Sequence, residues 1–253
     1  MAIFSFLDPV LNFMFGWLLN FSPFWAVLVL SFAISLLIVL VYKYTTNQTL
    51  MKSLKEEIKS LQKSMRELRQ EPEKMVEVNK KAMEANLKYM THSFKPMLFT
   101  FLPIIVIFGW MNSSLAFEPI GQQQEFTMTA LFEKGATGNI TVHAPAGLSI
   151  VGASTKELSD GKSIFTFKGL EGLYGVAFEF REKQYVKEVL IGKERKYIDP
   201  VLPVNEGGIK SITTDHEKTK VIKIGSFWLS WLWSYILFSI VFSLGLRKLL
   251  KVY

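Results

Sequence analysis

Three blocks of this chain are apolar enough, for long enough, to cross a bilayer, and the stretches between them change period. Residues 24–42 form the first block, closed by Lys43. The second lies in residues 89–111, YMTHSFKPMLFTFLPIIVIFGWM, where a polar, Met-bearing helix end runs through Lys95-Pro96 into a run with no charge before Glu118. The third covers residues 227–246, with Trp228, Trp231 and Trp233 forming an aromatic belt at its start. Each approaches the ~20 residues that a membrane helix needs. Pro96 suits a first helical turn, whereas Pro103 lies deeper and should bend the span. Ahead of the first block, residues 1–21 are apolar and aromatic but lack a basic residue, unlike a secretory signal. Asp8-Pro9 is a helix start there, predicting a short interfacial helix through Trp17.

Between the first two blocks, Leu54, Ile58, Leu61, Met65 and Leu68 are spaced four, three, four, three, as in a coiled-coil seam. A break at Gln70-Glu71-Pro72-Glu73 follows. Met83, Leu87, Met90 and Phe94 then repeat the spacing, with Glu77/Lys81 and Glu84/Lys88 as helical ion pairs. Both ends of this segment meet a membrane block, so an antiparallel hairpin turning at Pro72 is predicted. After the second block the period falls to two. Residues 125–132, 139–143, 148–151, 163–168, 174–181 and 184–191 read as strands separated by Gly, Pro, Asp or charged turns. Residues 193–220, with Pro200, Pro203 and Gly207-Gly208, read as a polar linker.

Charge orients these parts. Residues 43–95 hold twelve Lys/Arg against seven Asp/Glu, residues 117–223 hold fourteen of each, and Arg247, Lys248 and Lys251 follow the third block. Basic excess beside a membrane helix marks the cytoplasmic side. The patterns together predict an α-helical membrane protein: three transmembrane helices, a cytosolic antiparallel helical hairpin and an inserted extracytoplasmic all-β, sandwich-like domain. The expected parts are an N-terminal interfacial helix (1–22), the first span (23–43), the coiled-coil hairpin (44–95), the second span (96–116), the β-domain and linker (117–224), the third span (225–246) and a basic tail (247–253). The N-terminus is then outside a plasma membrane, and the hairpin and C-terminus are cytoplasmic.

The chemistry is sparse. The chain has no cysteine, its three histidines lie far apart, and no acidic residue falls inside a span. No phosphate loop, metal-ligand spacing or nucleophile motif is present, so neither an enzyme nor a cofactor is expected. Hydroxyls and methionines remain. Ser31, Ser35, Thr100, Ser230 and Ser234 are candidates for a polar groove, although hydroxyls in spans also bond their own backbone. Ser226, Ser230 and Ser234 share one helical face, and Ser239 and Ser243 fall nearly opposite. Lys43 and Lys95 would supply charge at the groove mouth. Met51, Met75, Met83, Met90 and Met97 are candidates for contact with varied apolar partners. Seam packing accounts for Met65, Met83 and Met90 as well, and for Met51 and Met75 less readily. Asn139-Ile140-Thr141 is a glycosylation sequon on the expected outer side.

Residues 71–78 (EPEKMVEV), 86–110 (NLKYMTHSFKPMLFTFLPIIVIFGW) and 233–252 (WSYILFSIVFSLGLRKLLKV) resemble the YidC/Oxa/Alb superfamily of membrane-protein insertases. The nearest branch is the archaeal YidC-like one, related to the Get insertase subunit and the insertase-like subunit of the ER membrane complex. The resemblance covers residues 1–115 and 225–253 and leaves out the β-domain. It implies an energy-independent insertase with a hydrophilic groove. Its partners would be the lipid bilayer, nascent membrane proteins, the ribosome and accessory membrane subunits. Bacterial members carry a basic residue in the groove; residues 24–42 of this chain contain none. Two other readings stay open: an oligomeric channel or transporter subunit, and a receptor-like scaffold binding through the β-domain. A channel should show a strongly polar pore stripe, and none is evident.

Overall fold

The computed structural model describes residues 7–68 and 70–252, with Asp8 described by its backbone alone. The first six residues of the expected interfacial segment lie outside the described residues. The chain divides into two compact units: residues 1–23 with 109–231, and residues 24–108 with 232–253.

The first unit carries the N-terminal helix α1 (Asp8–Phe15), a 3-10 turn (Gly16–Asn20) and all the strands. Pro9 sits in the first helical turn, where its missing N–H costs nothing. Trp110 is buried: its indole N–H donates to Asn12 Oδ1 at 2.7 Å and its ring lies 5.8 Å from Phe15. A buried indole needs an acceptor, and here it pins α1.

The strands are β1 (Phe126–Phe132), β2 (Asn139–His143), β3 (Leu148–Val151), β4 (Thr155–Glu157), β5 (Lys162–Gly169), β6 (Gly172–Phe180), β7 (Lys183–Ile191), β8 (Val201–Glu206), β9 (Ile209–Asp215), β10 (Lys220–Ile224) and β11 (Phe227–Ser230). One sheet has the order β3-β5-β1-β9-β8 and another β4-β2-β6-β7, with antiparallel ladders throughout. Alternation points Phe126, Met128, Phe165 and Phe167 of the first sheet, and Ile140, Val176, Phe178 and Phe180 of the second, into one buried core. All six expected strands are present. The expected linker is not a linker. Its Ile209 and Ile212 are fully buried in that core, and Gly207-Gly208, both at positive φ, close the β8–β9 hairpin. A side chain at Gly207 would collide with the Tyr185 hydroxyl.

Tyr197 ties this domain to the helix that precedes it. Its hydroxyl donates to the Asn112 carbonyl and accepts from the Ala116 N–H at 3.1 Å. Its ring packs on Phe117 and on His216, whose Nδ1 lies 3.3 Å from the Glu118 carbonyl oxygen. Burial pushes the Tyr197 phenol up to about 12 and holds the His216 imidazole below its ordinary range.

The second unit contains α2 (Pro23–Thr45) from Phe24 on, α3 (Gln48–Glu67), α4 (Pro72–Leu115) up to Phe108, and α5 (Trp231–Leu249) from Leu232 on. Asn47 caps α3 by accepting the Leu50 N–H at 3.1 Å. The second arm of the hairpin and the second apolar block are one 44-residue helix, with Pro96 and Pro103 inside it. Pro96 therefore does not begin a helix. α2, α4 and α5 are long and apolar enough to cross a membrane. The third apolar helix starts at Trp231, later than expected, because residues 227–230 pair with β10 instead.

Candidate functional site in the helical unit

The hairpin end of this unit is held by a mixed cluster. Val39 and Tyr42 of α2, Met51 of α3, Leu246 of α5 and Val252 bury one another, with Tyr89 of α4 packed against them. The Tyr42 hydroxyl lies 3.0 Å from Ser93 Oγ, and the Arg247 guanidinium stands 4.9 Å over the Tyr42 ring. Met51 is fully buried here. It packs in this cluster and is not on an exposed face.

A cleft of about 390 Å3 opens between α2 and α5, lined by Ser35, Ile38, Tyr235, Ser239, Ile240 and Ser243 among others. Three serines therefore face an otherwise apolar hollow, and Arg247 lies one turn beyond Ser243 along α5. Of the five hydroxyls expected to form a groove, only Ser35 lines this cleft. Ser31 is buried and donates to the Val27 carbonyl at 2.7 Å; Thr100 is buried and donates to the Pro96 and Met97 carbonyls. Both satisfy their own helix. Ser234 is fully buried and does not line the cleft, and Ser230 belongs to β11. Lys43 is half-buried at the end of α2, Lys95 is exposed on α4, and neither lines the cleft. Sequence reasoning passed over Ser239, Ser243 and Arg247. The four-residue spacing of the two serines and the arginine one further turn along was the available signal.

The face of α4 is the larger surprise. The seam Met83, Leu87, Met90, Phe94 is not packed in the hairpin. It extends in the same spacing through Met97 to Phe101, and Val76 lies two turns before Met83 on the same face, with Asn79 and Lys80 between; these apolar side chains are 56–67% exposed. At 3.6 residues per turn the buried face of the helix, Ala82, Ala85, Pro96 and Thr100, lies roughly 120° round from this stripe. Alanines are buried where methionines were expected. The bulky apolar residues are left outside. Met75 is half-buried in the first turn of α4. Of the expected contact residues, then, Met83, Met90 and Met97 are presented on one continuous apolar stripe. Asn139, in the other unit, is exposed as the first residue of β2.

A profile of the family described as integral membrane protein EMC3/TMCO1-like matches residues 6–138. The chain belongs to that family. The EMC3/TMCO1-like proteins are an insertase-related family within the YidC/Oxa/Alb superfamily, and they work in membrane complexes in the bilayer. The matched segment takes in α1 to α4 and β1, including the whole exposed stripe. No curated protein and no solved structure matches the chain.

Proposed function

We propose that this protein is an energy-independent membrane-protein insertase of the archaeal YidC-like branch, with no enzymatic activity. The observation that carries the proposal is the stripe from Met83 to Phe101, which is exposed along the hairpin arm and continues without a break into the apolar part of the same helix. A hydrophobic segment of a nascent protein binds the methionines of the hairpin and slides along the same helix face into the bilayer. Flexible thioethers accept many apolar shapes. The hairpin, Lys95 and the Arg247 end of α5 are cytoplasmic in this reading, and the N-terminus and β-domain are outside the plasma membrane.

The α2–α5 cleft takes the polar part of the substrate. A side-chain hydrogen bond between membrane helices is worth ~0.6–2 kcal/mol, and a charged residue at the bilayer centre costs ~3 kcal/mol by insertion scales. Hydroxyls of Ser35, Ser239 and Ser243 thus offset one or two polar groups rather than a long charged segment. Short polar termini and loops are the expected cargo. Lysines of α3 and α4 suit anionic lipid or a ribosome as partners.

Site-specific photocrosslinking from positions 83, 97 and 35, in membranes carrying translating ribosomes, tests this. Crosslinks from hairpin and cleft positions to short-lived nascent membrane proteins are expected. Crosslinks only to neighbouring copies or to one stable partner would replace the insertase with a channel subunit or a scaffold.

A further inference from the structure

In the unit that carries the β-domain, the N-terminal segment and the loop after β7 face one another across a second cleft, of about 760 Å3. Asn12, Asn20 and Ser22 line one wall, and Lys193, Glu194, Arg195 and Lys196 the other. A smaller hollow shares Asn12, Arg195 and Lys196 and reaches Ser113 and Tyr197. Neither belongs to the insertase reading, and the inference does not depend on it.

The charges do not balance. Glu194 pairs with Lys196 at 2.6 Å, and Glu118 stands 3.8 Å from Arg195, a longer and weaker contact. Lys193 is exposed and forms no ion pair among the described residues. Two carboxylates thus oppose three cations, and amide and hydroxyl groups stand across the cleft. This is a donor set for a phosphate monoanion or diester.

The surroundings narrow the ligand further. Ser22 directly precedes Pro23, the first residue of α2, so in the chain the cleft is followed at once by a helix long and apolar enough to cross a membrane. The N-terminal segment also exposes large apolar side chains: Phe13 is 90% exposed, Trp17 54% and Phe21 52%. Helices with an apolar aromatic face lie in the headgroup region. A soluble anion gains nothing from that apolar border, whereas a lipid uses both parts. We propose that this cleft binds the phosphate headgroup of an anionic membrane lipid in the leaflet bordering the β-domain, with its acyl chains against the exposed side chains of the N-terminal segment.

Native mass spectrometry of the full-length protein, released from membranes of mixed phosphatidylglycerol and phosphatidylcholine, tests the proposal. Wild type is expected to retain phosphatidylglycerol preferentially. Replacing Lys193, Arg195 and Lys196 together by Gln should lower that retention at least about tenfold, since each basic residue near an anionic surface contributes several-fold. Lys134→Gln, Lys168→Gln and Lys210→Gln together remove the same charge elsewhere in the unit and should leave retention unchanged. Equal losses in both triple variants, or equal retention of the two lipids by wild type, would overturn the proposal. So would displacement of the lipid by excess inorganic phosphate, which would make this a soluble-anion site. Loss of a co-purifying protein subunit with no change in lipid would overturn it in favour of a protein interface. Should the triple variant fail to fold, Lys193→Gln alone, at a side chain with no ion pair, is expected to cost about fivefold. Wild-type retention by that variant would also sink the idea.

Discussion

The β-domain and α4 handle their large apolar side chains in opposite ways. In the β-domain Phe165, Phe167, Phe178 and Phe180 are fully buried, each supplied by strand alternation to one core. On α4 the side chains of comparable size, Leu87, Phe94, Leu98 and Phe101, are more than half exposed, and the buried positions go to Ala82, Ala85 and Thr100. Water forces the first arrangement, because ~25 cal/mol per Å2 of apolar surface is gained by leaving it. A lipid or a hydrophobic substrate removes that force. Exposure of bulky residues is therefore a cost only for a unit that sits wholly in water. The hairpin arm of α4, with its polar lysine-rich flank, carries such residues all the same, and the proposed function reads it as a surface kept for a partner.

The sharpest way to break this contrast is truncation in each region. Phe178→Ala should destabilise the β-domain by ~3–5 kcal/mol, the range for aromatic core residues, read as a fall in its urea midpoint. Phe94→Ala should move stability by less than ~0.5 kcal/mol, as at an exposed site. Its effect should appear in substrate crosslinking from position 97. A stability loss at Phe94 as large as at Phe178 would mean that the stripe is a packing surface. Next in size is the collar. Tyr197→Phe removes the hydroxyl that serves both Ala116 and Asn112, and should cost ~1–3 kcal/mol in the same melt.

A stabilising change follows. The β6–β7 turn uses Arg181 and Glu182, both at positive φ, where Asn-Gly is preferred. Glu182→Gly should raise stability by ~1 kcal/mol, measured by urea unfolding, since the left-handed conformation costs a side chain about that much.

The smallest expected effect is that of pH. Desolvation holds His216 below its ordinary pKa, a shift that Lys187 reinforces and that the Glu118 carbonyl and Asp215 oppose. The folded domain therefore binds this proton less readily than the unfolded chain. Stability from the neutral imidazole is complete above the unfolded value, near ~6.5, and declines as pH falls through it. The melting temperature of the β-domain should drop between about pH 7 and about pH 5, and His216→Asn should flatten that drop. A slope unchanged in the variant would assign it to other groups.

How much of this was legible varies along the chain. Strands with clean alternation, such as residues 174–180, were readable because one face is buried and the other is not. Residues 201–215 escaped because Pro203 and the paired glycines read as a loop, and because irregular pairing puts Ile209 and Ile212 three apart, out of the period of two. Ser239 and Ser243 were visible as residues, but which neighbour they face is a matter of helix rotation. Ser35 alone of the expected hydroxyls proved to share their cleft.

The sequence by itself determined the three apolar helices, the hairpin break at Pro72, the all-β insert and the family, because each rests on local composition and period. Only the tertiary structure decided which face of α4 is covered. A seam spacing shows that apolar residues share a stripe, but not whether another helix lies against it. Ala82 and Ala85 fall on the covered face and Met83, Met90 and Met97 on the open one, a choice set by helix rotation, which spacing along the chain leaves free.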